Sequence, residues 1–345
     1  MMTSPMAADS HSSESDGDHE ADTISLTASV LDYPTLFNRR YHRYKEGSYP
    51  FPNDEQEQHR MNNQYAIIKA AQSGRLFFSP IEDAHVVTNV LDVGTGTGAW
   101  AIELADHDIF PNAKITGIDL SPIQPEEVPE NVFFEVQDCS DPSWERPLAS
   151  FDLIYTRCLL GALQDYAKYL ITARKYLKPG QGWIECCELM PEPLCDDNTI
   201  TPQWTFAIWE KWMDHGSKQA GRPMRVAHNI KQWMIDAGYV DVHEVVGKIP
   251  IGSWPANKTL KEIGKAWADL ISDSLASASY KTMSEVLNWE RNNIELFLAD
   301  TRHSLKNRKV HAYHKIISVY GRRPSPEEEK NRGWMAPPPP PRSGR

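Results

Sequence analysis

Three aspartates each close an apolar run: Asp92 after Asn89-Val90-Leu91, Asp119 after Lys114-Ile115-Thr116-Gly117-Ile118, and Asp138 after Val132-Phe133-Phe134-Glu135-Val136-Gln137. Alternate glycines, Gly94, Gly96 and Gly98, follow the first of them. A glycine has no Cβ, so the backbone can turn sharply there and approach a ligand closely. Acids at neighbouring strand ends around such a turn have the chemistry to hold a nucleoside, in the crevice where open α/β sheets bind nucleotides.

The glycines alone do not choose the nucleoside. Gly94-x-Gly96-x-x-Ala99 also fits the dinucleotide pattern, which accepts alanine in its last place. Asp92, two residues before Gly94, is more informative, because a carboxylate there would repel a pyrophosphate. S-adenosylmethionine carries no phosphate and presents an ammonium and a sulfonium, which suit Asp92 directly or through water. Asp119 suits a ribose diol in either cofactor class and does not discriminate. An acid at Asp138 can accept the adenine amino group. The expected cofactor contacts are Asp92, Gly94, Thr95, Gly96, Gly98, Trp100, Asp119, Leu120, Asp138 and Cys139, with S-adenosyl-L-methionine as cofactor.

The elements that must position these residues follow from pattern. The run through Val86 and Val87 to Val93 reads as strand, 94–98 as tight turn, and Ala101 to Ala105 as helix. Residues 114–120 and 132–137 are the second and third strands. Ser121-Pro122, Pro125 and Pro129 argue against a full helix between them, since each proline removes a donor and restricts its predecessor. Phe151 to Arg157 is the fourth strand, Tyr166 to Leu177 a helix stopped by Lys178-Pro179-Gly180, and Gly182 to Leu189 the fifth strand. Upstream, Asn53 or Asp54 caps a helix through about Ala71. With the aromatic stretch before it, this helix reads as a lid over the crevice or as a segment on the sheet edge, and Tyr41 and Tyr49 are its candidate contacts. From Pro191 onward tryptophans are frequent. Segments 201–219, 226–237, 258–276, 281–299 and 303–320 have helical character, and Val240 to Ile251 alternates as a strand or hairpin pair.

These pieces resemble the class I S-adenosylmethionine-dependent methyltransferases. More narrowly they are similar to the fungal LaeA-like methyltransferases, the velvet-complex regulators of secondary metabolism. The resemblance is carried by Arg40-Tyr41-His42-x-Tyr44-x-x-Gly47-x-Tyr49, by Pro52-x-Asp54-Glu55-Gln56-Glu57-Gln58, and by the glycine motif with Trp100-Ala101-Ile102-Glu103. It continues in Asp119-Leu120-Ser121-Pro122-Ile123-Gln124-Pro125, Lys178-Pro179-Gly180 with Gly182-Trp183-x-Glu185, Cys195-Asp196-Asp197, His311-Ala312-Tyr313 and Arg322-Arg323-Pro324. It spans residues 39–325. It implies an α/β, Rossmann-like sheet, mostly parallel with an antiparallel strand near its C-terminal edge, under a helical N-terminal lid and a C-terminal cap. The corresponding divisions are a disordered tail at 1–30, the lid at 31–84, the core with inserted cap helices at 85–255, C-terminal helices at 256–325 and a proline-rich tail at 326–345.

The acceptor side is less legible, because a sulfonium methyl is already activated and needs a base only when the acceptor is a hydroxyl or a protonated amine. Tyr155, Arg157 and Cys158 end the fourth strand at the crevice, and Arg157 could instead pair with a structural acid. Tyr155, Glu185, Glu188 and His228 are the base candidates. A tryptophan- and methionine-rich cap suits a flat apolar acceptor, although such aromatics also serve as ordinary helix packing. His311 and His314, three apart in the last segment read as helical, lack a carboxylate to complete a ligand set, so no metal is expected.

The 345 residues carry a net charge of −11, a poor balance for neutralising phosphates, so direct nucleic-acid binding is not expected. The five cysteines show no CxxC spacing and fit a reducing compartment, nuclear or cytoplasmic. No transmembrane span or secretory signal is read. The five prolines Pro337 to Pro341 suit polyproline II. Three functions fit: a LaeA-like methyltransferase acting in regulation with velvet-type partners, a biosynthetic O- or N-methyltransferase of a small molecule, or a non-catalytic cofactor-binding module.

Overall fold

The computed structural model describes residues 33–45, 47–81, 87–107, 110–111 and 113–332. The tail at 1–30, the lead-in at Val86, the turn at Asn112 and the proline run lie outside the described residues.

Seven strands form one sheet: β1 (Asn89–Val93), β2 (Lys114–Asp119), β3 (Val132–Val136), β4 (Leu153–Arg157), β5 (Trp183–Leu194), β6 (Val240–Pro250) and β7 (Tyr313–Arg322). Their spatial order is β3-β2-β1-β4-β5-β7-β6. The first five are parallel, and β7 runs antiparallel to both β5 and β6. Strand order reverses at β1, which is where an open sheet leaves a crevice beyond its carboxyl ends. Asp92 pairs in register with Gly117 and Tyr155, and Asp119 with Val136, so the strand ends carrying the three acids are neighbours.

Side chains alternate across the sheet as the two-residue period requires. Val90, Leu153, Tyr155 and Cys187 face one apolar cluster, while Leu91, Val93, Ile154 and Cys186 face the other. The first cluster is filled by α1 (Glu55–Ala71), α2 (Ala99–Ala105), α4 (Thr205–Gln219), α6 (Lys258–Lys281) and α7 (Arg291–Leu305). The second is filled by α3 (Tyr166–Tyr176) and α5 (Ile230–Asp236). A short helix, α8 (Pro326–Arg332), follows β7. No described helix is long and apolar enough to cross a membrane.

Local chemistry sets the helix ends. Asp54 caps α1 by accepting from the Glu57 amide, Asp165 caps α3 from Lys168, and Asn257 caps α6 from Leu260. No helix forms between β2 and β3, as the prolines dictate.

One expectation fails here. Residues 303–320 do not form a helix: α7 ends at Leu305, and residues 313–322 are the strand β7. Ile316, Ile317 and Val319 are all buried because both faces of β7 are covered, and such a run does not show the alternation that distinguishes a strand. The segment at 256–325 is therefore not helical throughout, and its last strand completes the sheet. Of the two readings of Val240 to Ile251, strand or hairpin pair, the structure shows the strand: it is the edge strand β6, paired to β7 alone. Within 281–299, a π-helical turn over Thr282–Val286 ends α6 before α7 begins.

Helix α6 approaches the end of β6 through Gly264. Its carbonyl accepts from the Gly252 amide at 2.9 Å, and a Cβ at Gly264 would lie 2.3 Å from the Gly252 carbonyl oxygen. Alanine favours a helix over glycine by about 1 kcal/mol, yet overpacking a backbone contact costs about 1–3 kcal/mol. Gly264→Ala is expected to lower stability by about 1–2 kcal/mol net, read as a reduced urea midpoint. An unchanged or higher midpoint would show that this crossing is loose.

Candidate functional site

The turn after β1 is fastened from below. The Gly94 and Thr95 amides both donate to the Ile118 carbonyl, at 2.8 and 3.0 Å, which ties the turn to β2. The Gly96 amide donates to Asp119 Oδ2 at 2.9 Å, and the Ser121 amide to Asp119 Oδ1 at 3.1 Å. Gly94 has φ +69°, and a Cβ there would sit 2.3 Å from Leu159 Cδ2. Gly98 has φ +79° at the start of α2, with Phe134 where its Cβ would be. Both positions exclude larger residues on conformation and on space.

A cavity of about 230 Å³ opens over this turn. Gly94, Thr95, Gly96, Asp119, Leu120, Asp138 and Cys139 line it, so most of the expected cofactor contacts share one wall. Asp138 Oδ1 accepts from the Ser140 amide and hydroxyl, and Oδ2 lies 2.9 Å from Lys45 Nζ. Burial would raise Asp138, but the Ser140 hydroxyl and the Lys45 ammonium hold it below the usual carboxylate range. Burial pushes Asp119 up against the pull of the Gly96 and Ser121 amides. The opposite wall comes from the lid: Tyr49, Phe51, Arg60, Met61, Gln64 and Tyr65 face the cavity. Tyr41 does not line it; its ring packs under Lys281 Nζ at 5.2 Å.

Three expected cofactor contacts stand behind the wall. Asp92 is 3% exposed and accepts from the Thr95 hydroxyl at 2.6 Å. Burial pushes its carboxyl up to about 6, opposed by the Thr95 hydroxyl and by Arg157. Gly98 and Trp100 also lie outside the lining. Trp100 stacks on Tyr155 with centroids 4.0 Å apart and planes 4° from parallel, and its indole donates to the Leu76 carbonyl at 2.9 Å.

That stack also removes Tyr155 from the catalytic candidates, since it is buried under α2 and does not line the cavity. Glu185 is 1% exposed, and its Oε2 accepts from the Phe78 and Ser79 amides and the Ser79 hydroxyl, all at 2.8 Å. It anchors the segment after the lid helix. His228 lies exposed on a 3-10 turn away from the cavity. Glu188 is fully buried and accepts from the Leu159 amide and the Tyr166 hydroxyl. Of the candidates Tyr155, Arg157, Glu185, Glu188 and His228, only Arg157 faces the cavity, with its guanidinium 4.3 Å from the Tyr65 ring centroid. It is two residues beyond Tyr155 on the same face of β4, at the strand's exit.

The cavity continues into the cap, between Phe206, Trp209, Glu210 and Met213 of α4, Trp267 and Leu270 of α6, and His314 of β7. No sequence signal joins Glu210 to His314: 104 residues separate them, and His314 falls where pattern reads helix. His311, its expected companion, instead pairs with Asp197 at 2.5 Å outside the cavity. Among the described residues, no group of three His, Cys, Asp or Glu could hold a metal ion.

A family model described as a methyltransferase domain matches residues 58–244. Secondary metabolism regulator LAE1 of Cochliobolus heterostrophus is 35% identical, over 83% of this chain and 93% of its own length. Methyltransferase pytC of Aspergillus terreus is 31% identical, over 89% of this chain and 93% of its own. Among solved structures, phosphoethanolamine N-methyltransferase 2 of Haemonchus contortus with S-adenosyl-L-methionine is similar at TM-score 0.44 and 17% identity, covering 76% of this chain and 53% of that one.

Burial pushes Glu188 up to about 7, against the Leu159 amide and the Tyr166 hydroxyl, and its Oε2 has no partner. A carboxyl raised in the folded state binds its proton more tightly there than in the unfolded chain. Its contribution to stability is therefore full below the ordinary value of 4.5 and is lost as pH rises to about 7. Glu188→Gln removes that dependence. The stability difference between variant and wild type should move in the variant's favour by about 2 kcal/mol from pH 5 to pH 8, followed by denaturant melts. A constant difference would mean that Glu188 ionises like an exposed acid.

Proposed function

This chain belongs to the LaeA-like methyltransferases, and we propose that it transfers a methyl group from S-adenosylmethionine to an acceptor held under its helical cap, in the service of secondary metabolism. One observation carries the reading: a single cavity runs from the glycine turn and its strand-end acids into a tryptophan-lined lobe.

The residues on the wall fit the cofactor. Asp119 gives one lone pair per oxygen to the turn and keeps others for a ribose diol. Asp138 can accept an adenine amino group beside the Lys45 ammonium. Arg157 suits the methionine carboxylate, since guanidinium and carboxylate pair in a planar fork. Asp92 acts through Thr95, whose hydroxyl it orients at the mouth of the turn. Thr95 itself lines the cavity, so it transmits the acid's charge toward the ammonium end.

When bound, the cofactor supplies an activated methyl on a sulfonium, with a neutral thioether as leaving group. The chain has to hold the acceptor in line with that methyl and keep water away, and positioning of this kind supplies much of the acceleration. Lid and cap do this together, with Tyr49, Phe51 and Met61 closing one side and Phe206, Trp209 and Trp267 the other.

The relative LAE1 is named a secondary metabolism regulator and pytC a methyltransferase. The regulatory role, velvet-type partners and a nuclear or cytoplasmic location are part of this proposal and follow from the resemblance alone.

Calorimetric titration tests the cofactor half. Wild type should bind S-adenosylmethionine saturably, and Asp119→Ala and Arg157→Ala should each weaken it by about 10- to 100-fold, the worth of a charged hydrogen bond. No saturable binding to wild type overturns the reading. In the producing organism, a chain carrying Asp119→Ala that fully restores a deletion phenotype would show that the role does not need methyl transfer.

A further inference from the structure

The cap lobe contains a carboxylate that no cation around it neutralises. Glu210 is 3% exposed, and its Oε2 is buried without a hydrogen-bond partner. Its Oε1 lies 2.8 Å from His314 Nε2, and His314 is 2% exposed. The Trp267 indole, which can only donate, gives its N–H to His314 Nδ1 at 3.1 Å. Nδ1 therefore carries no proton, so the ring proton is on Nε2, facing Glu210. Nε2 makes no hydrogen bond despite its close approach to Oε1, so His314 crowds the carboxyl group from one side, and Glu210 Oε2 is left without a partner.

Leaving a buried acceptor unmatched is costly, more so when it is charged. The other acid on this lobe shows the contrast. Asp214 Oδ1 is also buried without a partner, but Asp214 Oδ2 sits 2.8 Å from Lys218 and 3.9 Å from Arg225, so two cations stand beside it. Among the described residues, Glu210 has only the His314 ring within salt-bridge distance. The walls around it are flat and aromatic: Phe206 and Trp209 lie with centroids 5.6 Å apart and planes 20° from parallel, and Trp267 faces them from α6.

We propose that Glu210 is the catalytic base for the acceptor, with His314 as its positioning residue, and that the acceptor is a flat apolar molecule bearing a hydroxyl. This rests on the methyltransferase reading above. The hydroxyl hydrogen meets Oε2, and aromatic walls take up the ring. In the transfer the acceptor oxygen forms a bond to the methyl carbon, the carbon–sulfur bond breaks with its electron pair going to sulfur, and the hydroxyl proton passes to Glu210 Oε2. The products are a methyl ether, a neutral thioether and a protonated Glu210, which returns its proton to water when the lobe opens.

Two naphthalenes test recognition without requiring turnover. 2-Naphthol presents the hydroxyl, and 2-methoxynaphthalene presents the same skeleton with the donor capped. Quenching of tryptophan fluorescence reports binding of each to the full chain. Wild type should prefer 2-naphthol by about 10-fold or more, the worth of a hydrogen bond to a charged group. Glu210→Leu should bind both and lose the preference, and His314→Ala should reduce it. Glu210→Gln, which keeps the shape and an acceptor oxygen, serves if the leucine variant does not fold; its preference should fall between the two. Equal binding of the two probes to wild type, no saturable binding of either, or an unchanged preference in the variants overturns the proposal. S-adenosylmethionine titrated against the same proteins separates the two claims: lost cofactor binding with naphthol preference intact would remove the cofactor reading and leave Glu210 as a recognition group.

Discussion

The Ile118 carbonyl accepts two successive amides of the glycine turn, and the Asp119 carboxylate accepts a third at Gly96. The site depends on this stitching. It converts a run of glycines, which alone would sample many conformations, into a fixed concave rim. Because the fastening comes from β2, the rim and the acid beside it cannot move independently. Asp119 thus works twice, as a clamp on the turn and as a wall of the cavity. Behind the rim, Asp92 and Thr95 repeat the arrangement at shorter range, and the Trp100–Tyr155 stack seals the floor.

Above that rim the protein is built from two coverings of different character. The lid is held by charge and by packing: Asp54 receives Arg39 as well as capping α1, Lys45 reaches Asp138, and Tyr65 and Ile68 of α1 lie in the apolar cluster against the sheet. The cap is held by apolar packing, with Trp267, Ile271 and Leu275 of α6 and Ile294 and Leu298 of α7 in the same cluster as the sheet. Burial of a large apolar side chain contributes about 1.5–3 kcal/mol, and both coverings draw on the one cluster.

The cofactor half was legible because its chemistry forces residue types into short spacings. Strand, acid and glycines occur within ten residues of Asn89, and caps such as Asp54 and Asp165 sit where their helices begin. What sequence could not resolve was depth. Asp92, Trp100 and Tyr155 belong to the right elements, yet one register step or one turn of α2 decides whether a side chain meets the ligand or supports it. Glu185 and Glu188 illustrate the same limit, since both are buried within the central strand β5 and both accept from backbone amides. The acceptor half was illegible for a different reason. Glu210, Trp267 and His314 come from three distant elements, and β7, buried on both faces, lacks the alternation that would have revealed it as a strand.

The place of β7 in the sheet has a consequence for the order of assembly. The strands and glycine turn that carry the cofactor wall are complete once the ribosome has released residue 194, the end of β5. His314 belongs to the final strand, which lies between β5 and β6 in the sheet and is made more than a hundred residues after β5. During synthesis the nucleoside cradle can therefore form while its acceptor chamber still lacks a wall. The acceptor chamber is thus the last part of the site for which the chain supplies a wall.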